Sequence, residues 1–161
     1  MRALNQDGSC PVELHVDPQA TAIRVRVPNA RFTAVLDHLI ANAREAVAEA
    51  GGVDRGPVRL ELGKTGNAAV IDVVDRGCGM TPAFVAGELF KPFRSTKADG
   101  LGMGAYQCRE LARELGGDLE VLSTPAAGTT MRLSVPCAPP RDRGAPAALP
   151  SNDDASLETA P

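Results

Sequence analysis

Three polar side chains on one predicted helix have the types and spacing to hold a divalent cation. Apolar residues recur at helical intervals between residues 31 and 50, which predicts an amphipathic helix. At 100° per residue, His38, Asn42 and Glu45 fall within about 60° of one another along one edge of that helix. An amide oxygen beside a carboxylate suits a hard cation such as Mg²⁺, which proteins usually share with phosphate and water. The alternative is the ordinary polar flank of an amphipathic helix.

A carboxylate followed by two glycines stands where a predicted strand stops. Residues 68–74 are typical of a strand, and the residues directly after them read DRGCGM. Asp75 could accept a hydrogen bond from an exocyclic amine there. Gly77 and Gly79 would let a flat ring approach the backbone closely. The alternative is a tight turn with a solvated carboxylate.

A glycine-rich stretch directly precedes a second long helix, predicted over residues 104–115. Gly100, Gly102 and Gly104 leave backbone N–H groups free to converge on an anion, and the helix N-terminus adds its positive dipole end. The preceding residues, 90–97, read FKPFRSTK and predict a basic loop that could counter a polyphosphate and close over it. The spacing matches neither a P-loop nor a Rossmann fingerprint, and the alternative is a flexible hinge.

The other elements predict an α/β fold. Asn29 is the expected N-cap of the first helix, and a short helix is expected to start at Thr81, before Pro82. Strands are predicted over residues 23–27, 58–62, 68–74, 118–123 and 129–135. Because short turns join four of these strands in pairs, we expect a two-layer sandwich, with a mixed, mostly antiparallel sheet and the helices on one face.

Composition narrows the class of protein. A chain of 161 residues with 43% hydrophobic residues is long enough for one domain. The net charge of −3 argues against a nucleic-acid binder, and no apolar run reaches the roughly 20 residues of a membrane span. The start lacks a secretory signal, and the four cysteines are too scattered for a zinc site, so we expect a cytoplasmic location.

The domain organisation follows from a change in composition near the C-terminus. Residues 137–161 are rich in proline and poor in large apolar residues, which predicts a disordered tail. Residues 20–136 contain all the predicted elements and form the expected domain. Residues 1–19 are expected to be an N-terminal lead-in.

Taken together, these segments resemble the ATP-binding catalytic domain of bacterial sensor histidine kinases, in the GHKL superfamily of gyrase, Hsp90, histidine kinase and MutL. The resemblance covers residues 20–136. The segment LDHLIANAREAV resembles the N box, DRGCGM the G1 box, FKPFRSTK the F box, GLGMGAYQCREL the G2 box, and GGDLEVLSTPAAGTTMRLSVP the closing strands. Each motif alone is weak, but all five in this order are specific. The F box is most similar to the nitrogen-regulator type of kinase, and the G2 box to the kinases of exosortase (PEP-CTERM) systems.

The resemblance implies the Bergerat fold and a role for each matching residue. It implies that Asn42 ligates a Mg²⁺ ion bridging the phosphates of ATP, and that Asp75 binds the adenine amino group. The implied catalytic residues are His38, Asn42 and Lys97, of which Lys97 would reach the phosphates from the basic loop. The other implied ATP-binding residues are Glu45, Gly77, Gly79, Met80, Gly100, Leu101, Gly102, Met103, Gly104 and Thr129.

Two features depart from the family pattern. The ATP-hydrolysing branches carry a Glu general base four residues before the Asn, where this chain has His38, which we expect to polarise or position the reacting groups. We expect none of these residues to form the helical hairpin that carries a kinase's acceptor histidine, and the only other histidine in the sequence is His15.

We therefore expect a chain that binds Mg²⁺·ATP and donates the γ-phosphate to a histidine on the dimerisation domain of a sensor kinase. That domain would serve a response regulator in turn. We expect the chain to be cytoplasmic, or the cytosolic end of a membrane-anchored kinase, with neither a nucleic-acid nor a membrane partner. Two alternatives stay open: a stand-alone anti-sigma-factor-like serine kinase, and a non-catalytic ATP-binding interaction module.

Overall fold

The computed structural model describes residues 2–4, 10–94 and 102–139, without the side chains of residues 2–4 and 53. Two short 3₁₀ turns occupy Pro18–Ala20 and Gly52–Arg55. The strands are β1 (Arg2–Leu4), β2 (Val12–Val16), β3 (Val58–Thr65), β4 (Ala68–Asp75), β5 (Asp118–Thr124) and β6 (Gly128–Pro136). The helices are α1 (Asn29–Glu49), α2 (Pro82–Gly87) and α3 (Gly104–Glu114).

The six strands form one mixed sheet in the order β1-β2-β3-β4-β6-β5. Neighbouring strands run antiparallel except β2 and β3, which run parallel. Helices α1 and α3 share one hydrophobic core with the inward-facing residues of the sheet. The predicted two-layer α/β sandwich with a mostly antiparallel sheet is therefore confirmed.

A stripe of apolar side chains fastens α1 to the sheet. Its buried members, which recur every four residues, are Val35, Leu39, Ala43 and Val47. Leu39 is only 1% exposed, and burying a leucine stabilises a fold by about 1.5–3 kcal/mol. No helix in the described part of the chain is long and apolar enough to cross a bilayer. Burial of the stripe sets the rotation of α1 and so the direction of its polar edge.

One predicted strand is wrong, and one strand lies earlier than expected. Within residues 23–27, Val25 makes only an isolated bridge to Cys137. The position beside β3 is taken by β2, which belongs to the stretch expected to lead into the domain. Alternating apolar residues form a strand only where a neighbouring strand has free N–H and C=O groups to pair with.

Local ends of elements differ slightly from the predictions. The expected N-cap, Asn29, is instead the first residue of α1, and no side chain caps that helix. The hairpin turn between β3 and β4 is only two residues long, Gly66 and Asn67, so both strands are longer than predicted. Residues 140–161 of the expected tail lie outside the described residues.

Candidate functional site

A cavity of about 480 Å³ lies between α1, the end of β4 and the start of α3, and is called the α1–α3 cavity below. Ten residues that the sequence singles out line it: His38, Asn42, Glu45, Asp75, Gly79, Met80, Gly102, Met103, Gly104 and Thr129. A larger and more open groove, of about 820 Å³, runs over β2 and β3 and contains none of them. The smaller cavity is the candidate site because it gathers the polar groups.

Asp75, the last residue of β4, has a buried carboxylate of which only one oxygen is hydrogen-bonded within the described residues. It is 6% exposed, and its Oδ1 accepts the backbone N–H of Gly77 at 2.7 Å and that of Thr129 at 3.3 Å. Within the described residues, no hydrogen bond reaches Oδ2. Burial raises the pKa of the Asp75 carboxyl, and the two backbone N–H groups partly oppose that rise. Oδ2 is therefore available to a donor in the cavity, such as an exocyclic amine.

The glycines after Asp75 let the chain pass between α1 and β5. A Cβ on Gly77 would lie 2.5 Å from the carbonyl carbon of Ala46, and the Cys78 N–H donates to the Ala46 carbonyl at 3.3 Å. Gly79 has a φ of +65°, and a Cβ there would collide with the Thr124 carbonyl. Gly77 thus packs against α1 rather than lining the cavity, whereas Gly79 lines it.

Ser123 organises this end of the cavity, and the sequence analysis missed it. Its Oγ accepts the Met80 N–H at 2.9 Å and donates to the Gly128 carbonyl at 3.1 Å. It also lies 2.8 Å from Thr129 Oγ1. The signal that could have found it is its register position, because Ser123 stands directly opposite Thr129 in the β5–β6 hairpin. This network joins the loop after β4 to the last hairpin.

The polar edge of α1 faces the cavity as predicted, since His38, Asn42 and Glu45 all line it. Nowhere in the described part of the chain do three His, Cys, Asp or Glu side chains gather as a metal site would require. A Mg²⁺ ion at Asn42 would therefore take most of its ligands from phosphate and water, which is how Mg²⁺ usually binds. The side chains here therefore fit a Mg²⁺ ion that is also bound by phosphate and water, and not a site built from protein ligands alone.

The start of α3 forms another wall of the cavity. Among the described residues, no side chain caps this helix at Met103, so its first N–H groups can serve another acceptor. A Cβ on Gly104 would collide with the His38 imidazole, which places that ring directly against the helix start. Gly102, at φ +67°, accepts the Arg94 N–H at 3.3 Å and leaves room for the Arg94 backbone. A helix N-terminus, an imidazole and an arginine therefore meet here.

The basic loop is described only in part. Three predicted site residues lie outside the described residues, namely Lys97, Gly100 and Leu101. Arg94 lines the cavity, and its Nε lies 2.8 Å from Glu88 Oε2. Glu88 also pairs with Lys91 at 3.2 Å. The positive charge of this loop is evident from the sequence, but the pairing of Lys91 and Arg94 with Glu88 is not.

Comparison with known proteins identifies related sequences. The family described as histidine kinase-, DNA gyrase B-, and HSP90-like ATPase matches residues 28–139. The C4-dicarboxylate transport sensor protein DctS of Rhodobacter capsulatus is 37% identical over 133 residues, which are 80% of this chain and 20% of that protein. The sensor protein TorS of Escherichia coli (strain K12) is 34% identical over 125 residues, 73% of this chain and 13% of that protein. The chain thus spans about a fifth or less of these relatives.

Solved structures share the fold. Full-length ShkA in complex with AMPPNP superposes with a TM-score of 0.64 at 22% identity, covering 79% of this chain and 26% of that one. The mycobacterial sensor histidine kinase MprB gives a TM-score of 0.63 at 20% identity, covering 80% of this chain and 82% of that one. None of these four proteins is named as an exosortase kinase, so that narrower resemblance has no support. Because the family match spans more than half of the sequence, the chain belongs to the histidine kinase-, DNA gyrase B- and HSP90-like ATPases.

Proposed function

We propose that this chain is the ATP-binding catalytic domain of a cytoplasmic sensor histidine kinase module. It binds Mg²⁺·ATP and donates the γ-phosphate to a histidine on a partner dimerisation domain, which then serves a response regulator. The observation that carries the proposal is the buried Asp75, whose Oδ2 receives no hydrogen bond from the described residues, in the same cavity as the start of α3. The sensor proteins among its relatives support the kinase class over an anti-sigma serine kinase.

Adenine recognition is assigned to the end of β4. Asp75 Oδ2 accepts the exocyclic amine, while Oδ1 stays bonded to the backbone N–H groups of Gly77 and Thr129. Gly79 and Met80 line the cavity beside it and would flank the purine. A buried carboxylate pointing at an amine discriminates strongly, because a ligand with a carbonyl at that position would leave two acceptors facing each other.

Phosphate recognition is assigned to the start of α3 and the polar edge of α1. The N–H groups of the first turn of α3, after Met103, and the guanidinium of Arg94 supply positive charge. Asn42, with Glu45 beside it, would hold the Mg²⁺ ion. When bound, that ion neutralises charge on the phosphate oxygens. The protein's own contribution is to position the γ-phosphate and exclude water.

His38 is assigned a positioning role. Its imidazole packs against Gly104 at the start of α3, so it borders the place where phosphate would bind. A kinase must keep water from taking the phosphoryl group, and a histidine is a more fitting neighbour than the glutamate that activates water in the hydrolysing branches. Lys97, outside the described residues, is proposed to reach the same phosphates.

The acceptor histidine is proposed to belong to a partner domain. His15 lies on β2, 3.6 Å from Glu13, and lines the open groove instead of the α1–α3 cavity. His38 is packed against α3. We therefore propose that neither of the two histidines in the sequence is the phosphate acceptor.

Calorimetric titration tests the proposal without the partner. ATP, ADP and a non-hydrolysable ATP analogue are titrated into the chain with and without Mg²⁺. We expect binding of all three nucleotides, with Mg²⁺ strengthening it. Absence of binding would refute the proposed site. Incubation with labelled ATP should leave the isolated chain unlabelled, and stable label on His15 or His38 would contradict the partner assignment.

A further inference from the structure

An arginine of α3 lies over the first aromatic ring of the basic loop. Arg109 Cζ is 4.4 Å from the centroid of the Phe90 ring, which is within the range of a cation–π interaction. The same guanidinium donates two hydrogen bonds to Asp118, from Nε to Oδ1 at 3.1 Å and from Nη2 to Oδ2 at 3.3 Å. A bidentate pair fixes the plane of the guanidinium, so Asp118 orients Arg109 for stacking.

Phe90 belongs to a segment that forms one wall of the α1–α3 cavity, residues 88–94, called the Phe90 segment below. Leu89 and Arg94 of this segment both line the cavity. Leu89 is 8% exposed and adjoins Phe90 in the chain, so a shift of the backbone at Phe90 would disturb its packing. The Glu88 carboxylate pairs with Arg94 Nε at 2.8 Å and so joins the two ends of the segment. The position of Phe90 therefore sets the position of the wall.

A neighbouring arginine provides a matched comparison. Arg113, one turn along α3, also pairs with Asp118, its Nε lying 3.5 Å from Oδ1. It pairs in addition with Glu110 at 3.2 Å. Of the aromatic rings in the described residues, only that of Phe90 carries a stacked cation, and that cation is Arg109. The two arginines share the helix, the charge and the partner Asp118, but only Arg109 contacts the Phe90 segment, whereas Arg113 pairs with Glu110 as well.

We propose that Arg109 is a positioning residue for nucleotide binding: stacked on Phe90 and oriented by Asp118, it holds the Phe90 segment against α3 and keeps Arg94 at the cavity. This rests on the proposed function, because the ligand at that wall is the nucleotide. Arg109 itself does not line the cavity and acts only through Phe90.

The first experiment tests the stacking without any nucleotide. The chain contains no tryptophan, so Phe90→Trp introduces a single tryptophan at the stacking position. In that background Arg109→Gln should red-shift the emission and increase quenching by acrylamide, while Arg113→Gln should change neither. Unchanged emission and quenching in the Arg109→Gln variant would overturn the proposal, whatever the chain binds.

The second experiment measures ATP affinity by calorimetry on the full chain. Arg109→Gln should weaken ATP binding about three- to fivefold, the loss expected from one exposed cation–π contact, and Arg113→Gln should leave it unchanged. Arg109→Lys keeps a cation over the ring and should recover part of the affinity. If the Arg109→Gln variant does not fold, Arg109→Lys takes its place in the test.

The outcomes separate the two proposals. Equal weakening by Arg113→Gln, or no weakening by Arg109→Gln, would overturn the positioning role. If the unmodified chain binds no ATP, the proposed function fails, and the fluorescence comparison still decides whether Arg109 holds Phe90.

Discussion

Replacement of Asp75 by asparagine should weaken nucleotide binding while leaving the fold intact. The asparagine carbonyl can take the place of Oδ1 and accept the N–H groups of Gly77 and Thr129. Its NH₂ then replaces Oδ2 and faces the adenine amine, donor against donor. Losing one hydrogen bond to a charged acceptor costs about 2 kcal/mol, roughly a thirtyfold increase in Kd. Isothermal titration calorimetry with ATP measures this increase in Kd directly.

The control is the substitution Asp72→Asn, which makes the same change of residue type on the same strand, β4. Asp72 lies on β4, three residues before Asp75, and its carboxylate accepts from Arg132 at 2.8 and 2.7 Å, outside the α1–α3 cavity. Asp72→Asn should leave the Kd for ATP within about twofold of the unmodified chain. Inosine triphosphate carries a carbonyl in place of the amine, so Asp75→Asn should prefer it to ATP. An Asp75→Asn variant with undiminished ATP affinity and unchanged purine preference would refute the assignment.

The same variant should be at least as stable as the unmodified chain at neutral pH. Burial raises the pKa of Asp75 above its ordinary value of 3.8. The folded state therefore binds this proton more tightly than the unfolded state, and the resulting stability is present below pH 3.8 and lost as pH rises through the folded pKa. An asparagine does not titrate, so the Asp75→Asn variant does not lose this stability as pH rises. The melting temperature of the variant minus that of the unmodified chain should therefore increase between pH 3 and pH 7. Melting would be monitored by circular dichroism, and a decrease of this temperature difference over the same pH range would contradict the reasoning.

Three further perturbations test the cavity from other sides. Asn42→Ala should weaken ATP binding at least about tenfold in the presence of Mg²⁺ and little in its absence, as calorimetry would show. Gly79→Ala places a Cβ against a β5 carbonyl at a φ of +65° and should lower the free energy of unfolding by about 2 kcal/mol or more in thermal or urea denaturation. The Cys78 thiol lines the cavity, so saturating Mg²⁺·ATP should slow its alkylation by N-ethylmaleimide, followed by mass spectrometry.

Each of these perturbations has a control in the chain. Asn29→Ala changes an exposed asparagine at the start of the same helix and should bind ATP normally. Gly87→Ala meets nothing within 4 Å and should not destabilise the fold. Cys137 lies outside the cavity, and its alkylation should not depend on ATP. Equal effects at site and control in any pair would show that the change acts through the fold in general.

Helices were the elements that the sequence predicted best. The predicted first helix, residues 31–50, corresponds to α1, Asn29–Glu49, and the second, residues 104–115, to α3, Gly104–Glu114. The predicted cap at Thr81 is confirmed, because its Oγ1 accepts the Phe84 N–H at 3.3 Å. Helix periodicity, caps and stops depend on residues within a turn or two of each other, so one short stretch of sequence contains the whole signal.

Strand pairing was predicted less well. The alternating stretch around Val25 has a single bridge, while β2 pairs with β3 along its full length. Both stretches alternate, and the choice between them depends on which one reaches the free edge of β3. Which of the two stretches reaches that edge depends on the packing of the whole chain.

The sequence by itself determined the candidate site residues and their order, because each motif, around Asn42, Asp75 and the glycines before α3, is a short stretch of chain. Only the tertiary structure decided how those groups are oriented. The bond from Thr129 to Asp75 joins residues 54 apart, and the contact of Arg109 with Phe90 joins a helix to a loop. Such contacts depend on how the helices and the sheet pack against one another, which no short stretch of sequence specifies.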